Sequence, residues 1–254
     1  MIIYLLEVFM NQVIDTILNH RSIRSYLDKE LPEEHLELLV RCAQKAPSSN
    51  NGQPVTIIAV TDKAKKAQLA ELCGNQAFIA EAGVFFVFCI DFYRGKLACE
   101  KTNNEFYITD ELSATVIGTF DAGLAMQNMI VAAESLGYGT VPIGGILNDS
   151  HAVIKLLEIP DYVFPICGLV VGFPKEQSAV KPRLPLKAVF NREKYDMNQR
   201  IYIDEYDEVM TKYMEERTNG ESRRNWSETI SRVYRVKGRR NIKQAMENQK
   251  FYNR

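Results

Sequence analysis

From Glu111 to Leu136 the sequence follows one long helical pattern, rich in small and apolar residues: Ala114, Gly118, Ala122, Gly123, Ala125, Ala132 and Ala133. A helix apolar on most of its sides must be buried, either at the centre of a domain or between subunits. The pattern leaves both placements open. Its most apolar part is interrupted by Asp121, Gln127 and Asn128, which argues against a membrane span.

The segments on either side must cover this helix. Apolar residues Val13, Ile14, Ile17 and Leu18 read as a short helix. Pro32 before Glu33 and Glu34 starts another, because proline suits a first turn and acids favour the positive end of the helix dipole. Leu36, Leu39, Val40 and Ala43 continue it, and it should end before Pro47. The stretch Pro47 to Pro54 is a polar loop, and Val55 to Val60 a β-branched strand. Lys63 to Cys73 reads as an amphipathic helix stopped by Gly74. Val84 to Ile90 and Val163 to Phe173 are apolar throughout, as strands covered on both faces would be. Thr140 to Ile146 is a third strand-like run, and Val153, Ile154 and Leu157 mark a short helix.

Beyond Asp196 the composition changes. Tyr206, Val209, Met210, Tyr213 and Met214 form an amphipathic helix, and past Arg217 the chain is strongly basic. The interleaving of helices and strands gives an α/β or α+β domain with a helical extension, not two independent domains. We place the core at residues 10–195 and the extension, part of the same domain, at 196–254.

A net charge of −1 over 254 residues provides no global attraction to nucleic acid or anionic lipid. The five cysteines are scattered without a CxxC, which fits a reducing cytoplasm better than a disulfide framework or a zinc site. MIIYLLEVF at the start is too short to span a membrane and lacks a basic leader, and Met10 is an alternative start. The expected location is therefore the cytoplasm, without membrane or nucleic-acid partners.

His20, His35 and His151 show no ligand spacing, and no nucleotide-binding glycine loop or nucleophile motif is present. What stands out is His20-Arg21-Ser22-Ile23-Arg24, with two guanidiniums, an imidazole and a hydroxyl in five residues. Arginine's planar fork of donors suits phosphate, and serine and histidine can add further bonds to the same anion. Ser48, Asn50 and Gln53 add neutral polar groups on a loop, and Gln76 follows Gly74. Gly144-Gly145 allows the backbone to approach a flat ligand closely. Lys181 and Arg183 are two residues apart on an extended stretch and so share a face. Together these features describe a pocket for a phosphorylated, planar and largely apolar ligand.

HRSIR, APSSNNGQP, GNQAFIAEAG, AAESLGYGTVPIGG, VKPRLP and the tail RRNWSETISRV together resemble the nitroreductase family, in particular its oxygen-insensitive NADPH nitroreductase and flavin reductase branch. The resemblance runs in unchanged order from about Met10 onward. It implies an α+β homodimer with a mainly antiparallel central sheet surrounded by helices, a helical C-terminal extension, and FMN at the subunit interface. His20, Arg21, Ser22 and Arg183 would hold the FMN phosphate, and Arg24 and Lys181 would face the pyrimidine edge. Gln76 would bond the ring's polar edge. Ser48 and Asn50 would approach from the partner's loop or the interface, and Ile143, Gly144 and Gly145 would pack beside the ring. Arg217 and Arg239 match positions that handle the 2′-phosphate of NADPH.

The implied activity is transfer of hydride from NADPH, with NADH possible, through FMN to nitroaromatics, quinones or free flavin, without a side-chain acid or base. The alternatives are a dedicated FMN reductase serving a monooxygenase, and a non-catalytic flavin- or nucleic-acid-binding protein. Three positions depart from the branch: Leu147 where arginine is common, Pro142 where a tyrosine can stand, and Phe78 in place of tyrosine.

Overall fold

The computed structural model describes residues 11–176, 178–235 and 241–252. The chain divides into two compact units, Met1–Ser178 with Arg239–Arg254, and Ala179–Gly238. This division falls earlier than residue 196, where composition changes, and it returns the end of the chain to the first unit.

In the first unit, helices α1 (Gln12–Leu18) and α2 (Glu33–Ala43) precede strand β1 (Val55–Val60). Helices α3 (Lys63–Leu72) and α4 (Phe78–Glu81) lead to β2 (Val84–Asp91) and α5 (Tyr93–Lys101). The long helix α6 (Leu112–Ser135), β3 (Gly139–Ile143), α7 (Ser150–Leu156) and β4 (Val163–Gly172) follow. The second unit contains α8 (Leu186–Val189), α9 (Gln199–Arg217) and α10 (Trp226–Tyr234), and α11 (Ile242–Asn248) belongs again to the first.

The four strands form one sheet in the order β1-β2-β4-β3, with every pairing antiparallel. Every residue of the apolar strand β2 is buried. Because side chains alternate across a strand, Phe85, Val87 and Cys89 join α3, Val141 and Ile143 on one face. Val84, Phe86 and Phe88 join α2 and α6 on the other. A bulge at Phe88/Cys89 adjusts the β2–β4 register.

Helix α6 is long and apolar enough to cross a membrane by length and composition alone. One side packs through Ala122, Ala125, Met126, Met129 and Ala133. Its other side leaves Leu112, Val116 and Phe120 exposed, Phe120 by 67%. One face of the helix is thus buried within this chain, and the other stands exposed on it. Helix α5 lacks a clear apolar periodicity and buries no residue, which is why the sequence pattern does not reveal it.

Candidate functional site

Helix α1 is capped by Asn11, whose side chain accepts the N–H groups of Val13 and Ile14, and it buries none of its residues. The segment after it runs beside β3. Ser22 bridges Thr140, the Ile23 N–H donates to the Thr140 carbonyl at 2.9 Å, and Tyr26 bridges Pro174. Gly139 makes this approach possible, because a Cβ there would lie 2.7 Å from Ile23 Cγ1. Ile23 and Tyr26 are buried, whereas Arg24 is exposed. Burial pushes the Tyr26 hydroxyl well above its usual range, opposed by the Arg24 cation and reinforced by Glu134.

The polar side chains of this segment are fixed at their roots. Arg21 donates through Nε to the Asn19 carbonyl at 3.1 Å and through Nη1 to the Ser178 carbonyl at 3.5 Å. The Ser178 hydroxyl donates to the Ser22 carbonyl at 3.4 Å. His20 Nδ1 lies 2.7 Å from Glu134 Oε1, and the same oxygen accepts the Thr140 hydroxyl at 2.6 Å. Beside them is a cavity of about 240 Å3, lined in part by Asp15, Asn19, Arg21, Glu134 and Tyr138.

At the other end of β3 the chain leaves the sheet after Ile143 and enters a 3-10 turn, Gly144–Leu147. The strand therefore ends three residues before the Ile146 limit expected from sequence; two successive glycines have no side chains to pack across a pleat. Gly145 packs against the end of α3, where a Cβ would fall 2.4 Å from the Cys73 carbonyl oxygen and 3.0 Å from Gln76 Nε2. Gln76 Nε2 donates to that same carbonyl at 2.7 Å. The Ile143 side chain is buried in the core, so it can offer a ring only its main chain. Gly144 is exposed and Gly145 half-buried. The polar HRSIR segment and the bare glycine backbone thus stand at opposite ends of β3, about 13 Å apart at ~3.3 Å per residue.

The polar loop is held separately. Asn50, Asn51 and Gln53 all have left-handed φ, near 50°, a conformation asparagine tolerates better than most residues. The Ser49 N–H donates to Asp121 Oδ2 at 3.1 Å, and the Gln53 N–H to Ser48 Oγ at 3.2 Å. Arg94 Nη2 donates to the carbonyls of Gln53 and Val55 at 3.0 and 2.8 Å. Its Nη1 meets buried Asp91 at 2.7 Å and the Thr56 hydroxyl at 2.8 Å. A cavity of about 450 Å3 opens here, lined in part by Ser48, Gln53, Thr56, Arg94 and Asp121. Among the described residues, the loop's hydrogen bonds run to Asp121, to Arg94, to the N–H groups of Val55 and Asp91, which donate to the Gln53 and Pro54 carbonyls at 2.8 and 3.0 Å, and within itself.

Lys181, Arg183 and Arg217 lie in the second unit, all exposed, and Arg239 lies outside the described residues. The Tyr206 hydroxyl donates to the Pro182 carbonyl at 2.8 Å, fixing the extended KPRLP stretch within that unit. Burial raises the Tyr206 phenol, and the Arg183 cation opposes the rise. Leu147 is half-buried against the apolar clusters and Phe78 packs against the core, whereas Pro142 is exposed.

Of the site residues named from sequence, the structure sets His20, Arg21 and Ser22 beside one end of β3 and Gln76, Gly144 and Gly145 at the other; Glu134, Asp121 and Arg94, which hold His20 and the polar loop, are not among those named. The acid inside an apolar helix was the available signal for Asp121. For Glu134 and Arg94 no local pattern exists, because their partners are distant in the chain.

Residues 17–173 match the Nitroreductase family, and residues 181–254 match the Nitroreductase family C-terminal domain. FMN reductase [NAD(P)H] of Bacillus subtilis is 46% identical over 246 residues, covering 95% of this chain and 98% of its own. The solved structure of NfrA2 from B. megaterium is similar at a TM-score of 0.94 and 49% identity, covering 95% and 98%. That of the NADPH:FMN oxidoreductase from Vibrio harveyi complexed with NAD+ is similar at 0.86 and 32%, covering 96% and 100%.

Proposed function

Since the chain belongs to the nitroreductase family, we propose that it is an FMN-dependent NAD(P)H oxidoreductase acting as a nitroreductase or flavin reductase. The carrying observation is the arrangement at β3, with phosphate-type donors at one end and a glycine turn packed on Gln76 at the other.

The residues present fit FMN. Arg21, Ser22 and His20 supply a cation, a hydroxyl and an imidazole for a phosphate, and the exposed Gly144 backbone leaves room for a flat ring. When bound, FMN would supply the electron carrier between NADPH and a nitroaromatic, a quinone or free flavin. The protein's part is to hold and orient. Gln76, fixed by its bond to the Cys73 carbonyl, would meet a ring edge. Arg24 is exposed, available to face the negative charge that develops at the pyrimidine edge on reduction. Lys181, Arg183, Arg217 and Arg239 join this reading through the family resemblance. No side chain is needed as general acid or base.

The exposed stripe Leu112, Val116 and Phe120 on α6 supports a homodimer, since such a row on a central helix finds its cover in a second subunit. In that dimer the loop bearing Ser48 and Asn50 reaches the partner's flavin. The reading further places the enzyme in the cytoplasm, with small-molecule oxidants as its other partners.

The test is the visible spectrum of the purified protein. A flavin absorption that bleaches with NADPH and returns on adding nitrofurazone or free FMN is expected. A colourless protein that binds no added FMN would overturn the proposal. Turnover of free FMN far above that of nitro compounds would favour the dedicated flavin reductase.

A further inference from the structure

An acid stands at the root of the anion-binding segment. Glu134 Oε1 lies 2.7 Å from His20 Nδ1 and accepts the buried Thr140 hydroxyl at 2.6 Å. Thr140 also accepts the Ile23 N–H on its carbonyl and bridges Ser22 through its backbone. Glu134 and Thr140 thus fasten HRSIR to β3 by both side chain and main chain. If HRSIR holds a phosphate, a carboxylate beside it would repel that ligand unless a proton carrier offset its charge, and His20 is in contact with Glu134.

The ring's chemistry then restricts its protonation. A carboxylate accepts only, so Nδ1 carries the hydrogen shared with Glu134. In a neutral ring Nε2 is then a lone-pair acceptor, which cannot donate to a phosphate oxygen. Only the doubly protonated imidazolium donates in both directions at once. The other charged groups around the junction are Asp15 on α1, Arg21 and Arg24 on the segment itself, and Lys175 after β4, whose N–H donates to Ser25. The nearest is Glu134, the one in direct contact.

We infer that Glu134 is a positioning residue that makes phosphate recognition proton-coupled: it fixes Nδ1–H of His20 so that a phosphate is gripped through Nε2 only when the ring takes up a proton. This rests on the reading that HRSIR holds the FMN phosphate. The balance is simple. One proton passes from solvent to Nε2 as the dianionic phosphate arrives, and no covalent bond changes. Binding of FMN therefore weakens with rising pH on the alkaline side, whereas binding of riboflavin, which lacks the phosphate, does not.

The experiment is calorimetric titration of flavin-stripped, full-length protein with FMN and with riboflavin at pH 8, in two phosphate-free buffers of different ionisation enthalpy. Their difference gives the protons taken up. Wild type is expected to take up close to one proton more with FMN than with riboflavin. Glu134→Gln should lose most of this uptake and about tenfold in FMN affinity, about 1.4 kcal/mol, and His20→Gln should lose the uptake entirely. If Glu134→Gln fails to fold, His20→Gln alone decides between coupled and uncoupled binding. If FMN binds more tightly than riboflavin and Arg21→Gln removes that preference, but uptake is the same in wild type, Glu134→Gln and His20→Gln, the proton coupling is wrong and the phosphate site stands. If wild type binds FMN and riboflavin alike, the phosphate reading fails and takes the coupling with it.

Discussion

Asp121, near the middle of α6, accepts the backbone N–H of Ser49 at 3.1 Å, although it is only 3% exposed. A buried acid in an otherwise apolar helix thereby carries a loop whose residues 50, 51 and 53 all have left-handed φ. Left-handed backbone costs on the order of 1 kcal/mol per residue outside glycine, somewhat less for asparagine. Such conformations persist where neighbouring structure over-determines them, and here Asp121 and Arg94 do so from two sides.

Replacing Asp121 by alanine should therefore release the loop. The Ser49 N–H loses its partner, at a cost of about 1–3 kcal/mol. Hydrogen exchange should quicken across residues 47–54 while the β2 amides stay protected, and thermal unfolding should begin earlier. Asp121→Asn keeps an acceptor oxygen and should retain most of the protection. Equal protection of the loop in the alanine variant and wild type would show that Arg94 and the loop's other bonds hold it without Asp121.

Gly145→Ala tests the junction at the far end of β3. The added methyl meets a backbone carbonyl 2.4 Å away, so either the turn at Cys73 or the Gly144–Leu147 turn must move. Overpacking of this kind costs about 1–3 kcal/mol. Because Gln76 is bonded to the same carbonyl, FMN affinity should fall more than stability does, readable as a raised dissociation constant in flavin fluorescence titration. A variant that binds FMN as wild type does would remove this turn from the site.

How much of this was legible in the sequence depended on how local each cause is. The strand Val55–Val60 and helix Glu33–Ala43 follow from β-branched runs and from a proline followed by acids, and both appear where those signals place them. HRSIR was visible as chemistry, yet its docking on β3 depends on Gly139, more than a hundred residues later, having no side chain. Helix α5 is polar enough that its pattern says little, but its Arg94 ties four groups together. Among the histidines, His35 illustrates the limit. In the sequence it stands beside acids with no ligand spacing, whereas the fold sets the Nδ1 of this half-buried ring against the buried Tyr138 hydroxyl at 2.5 Å. Contacts made across the fold have no period or spacing to read.

The cysteines should sort by burial. Desolvation pushes the Cys73 thiol up to about 12 and raises Cys89 and Cys167 as well. A raised thiol stays protonated at pH 8, and the thiolate is the nucleophile. Iodoacetamide at that pH should mark the half-buried Cys42 and Cys99 in folded protein and spare the buried Cys73 and Cys89, together with Cys167, which is half-buried but whose thiol is raised by desolvation. The same shift bears on stability. The unfolded Cys73 ionises near 9 and the folded one near 12, so its contribution is complete below 9 and is lost between them as pH rises. Labelling of all five cysteines at equal rates in folded protein would contradict this order.

Arg217 stands exposed at the end of α9. If it and Arg239 receive the 2′-phosphate of NADPH, neutral residues at both should raise KM for NADPH much more than for NADH, leaving kcat with NADH unchanged. Equal increases for the two donors would mean that the basic tail is merely solvated.

The last prediction concerns Arg21 and Arg183 together. Arg21 lies in the first unit with Nε and Nη1 bonded to the Asn19 and Ser178 carbonyls, which fix its guanidinium plane; among the described residues Nη2 has no hydrogen-bond partner. Arg183 belongs to the second unit, on a stretch fixed there by Tyr206. If both hold the FMN phosphate, as the family resemblance implies, each charge-assisted bond is worth about 1.5–3 kcal/mol, and either single substitution to glutamine should weaken FMN by about tenfold to a hundredfold. Such a protein can still be purified yellow. The double substitution should lose both bonds and yield a colourless protein that regains colour only at high added FMN. Because riboflavin lacks the phosphate, its affinity should be nearly unchanged in all three variants. A double variant that retains full flavin through purification would rule out both residues as phosphate ligands.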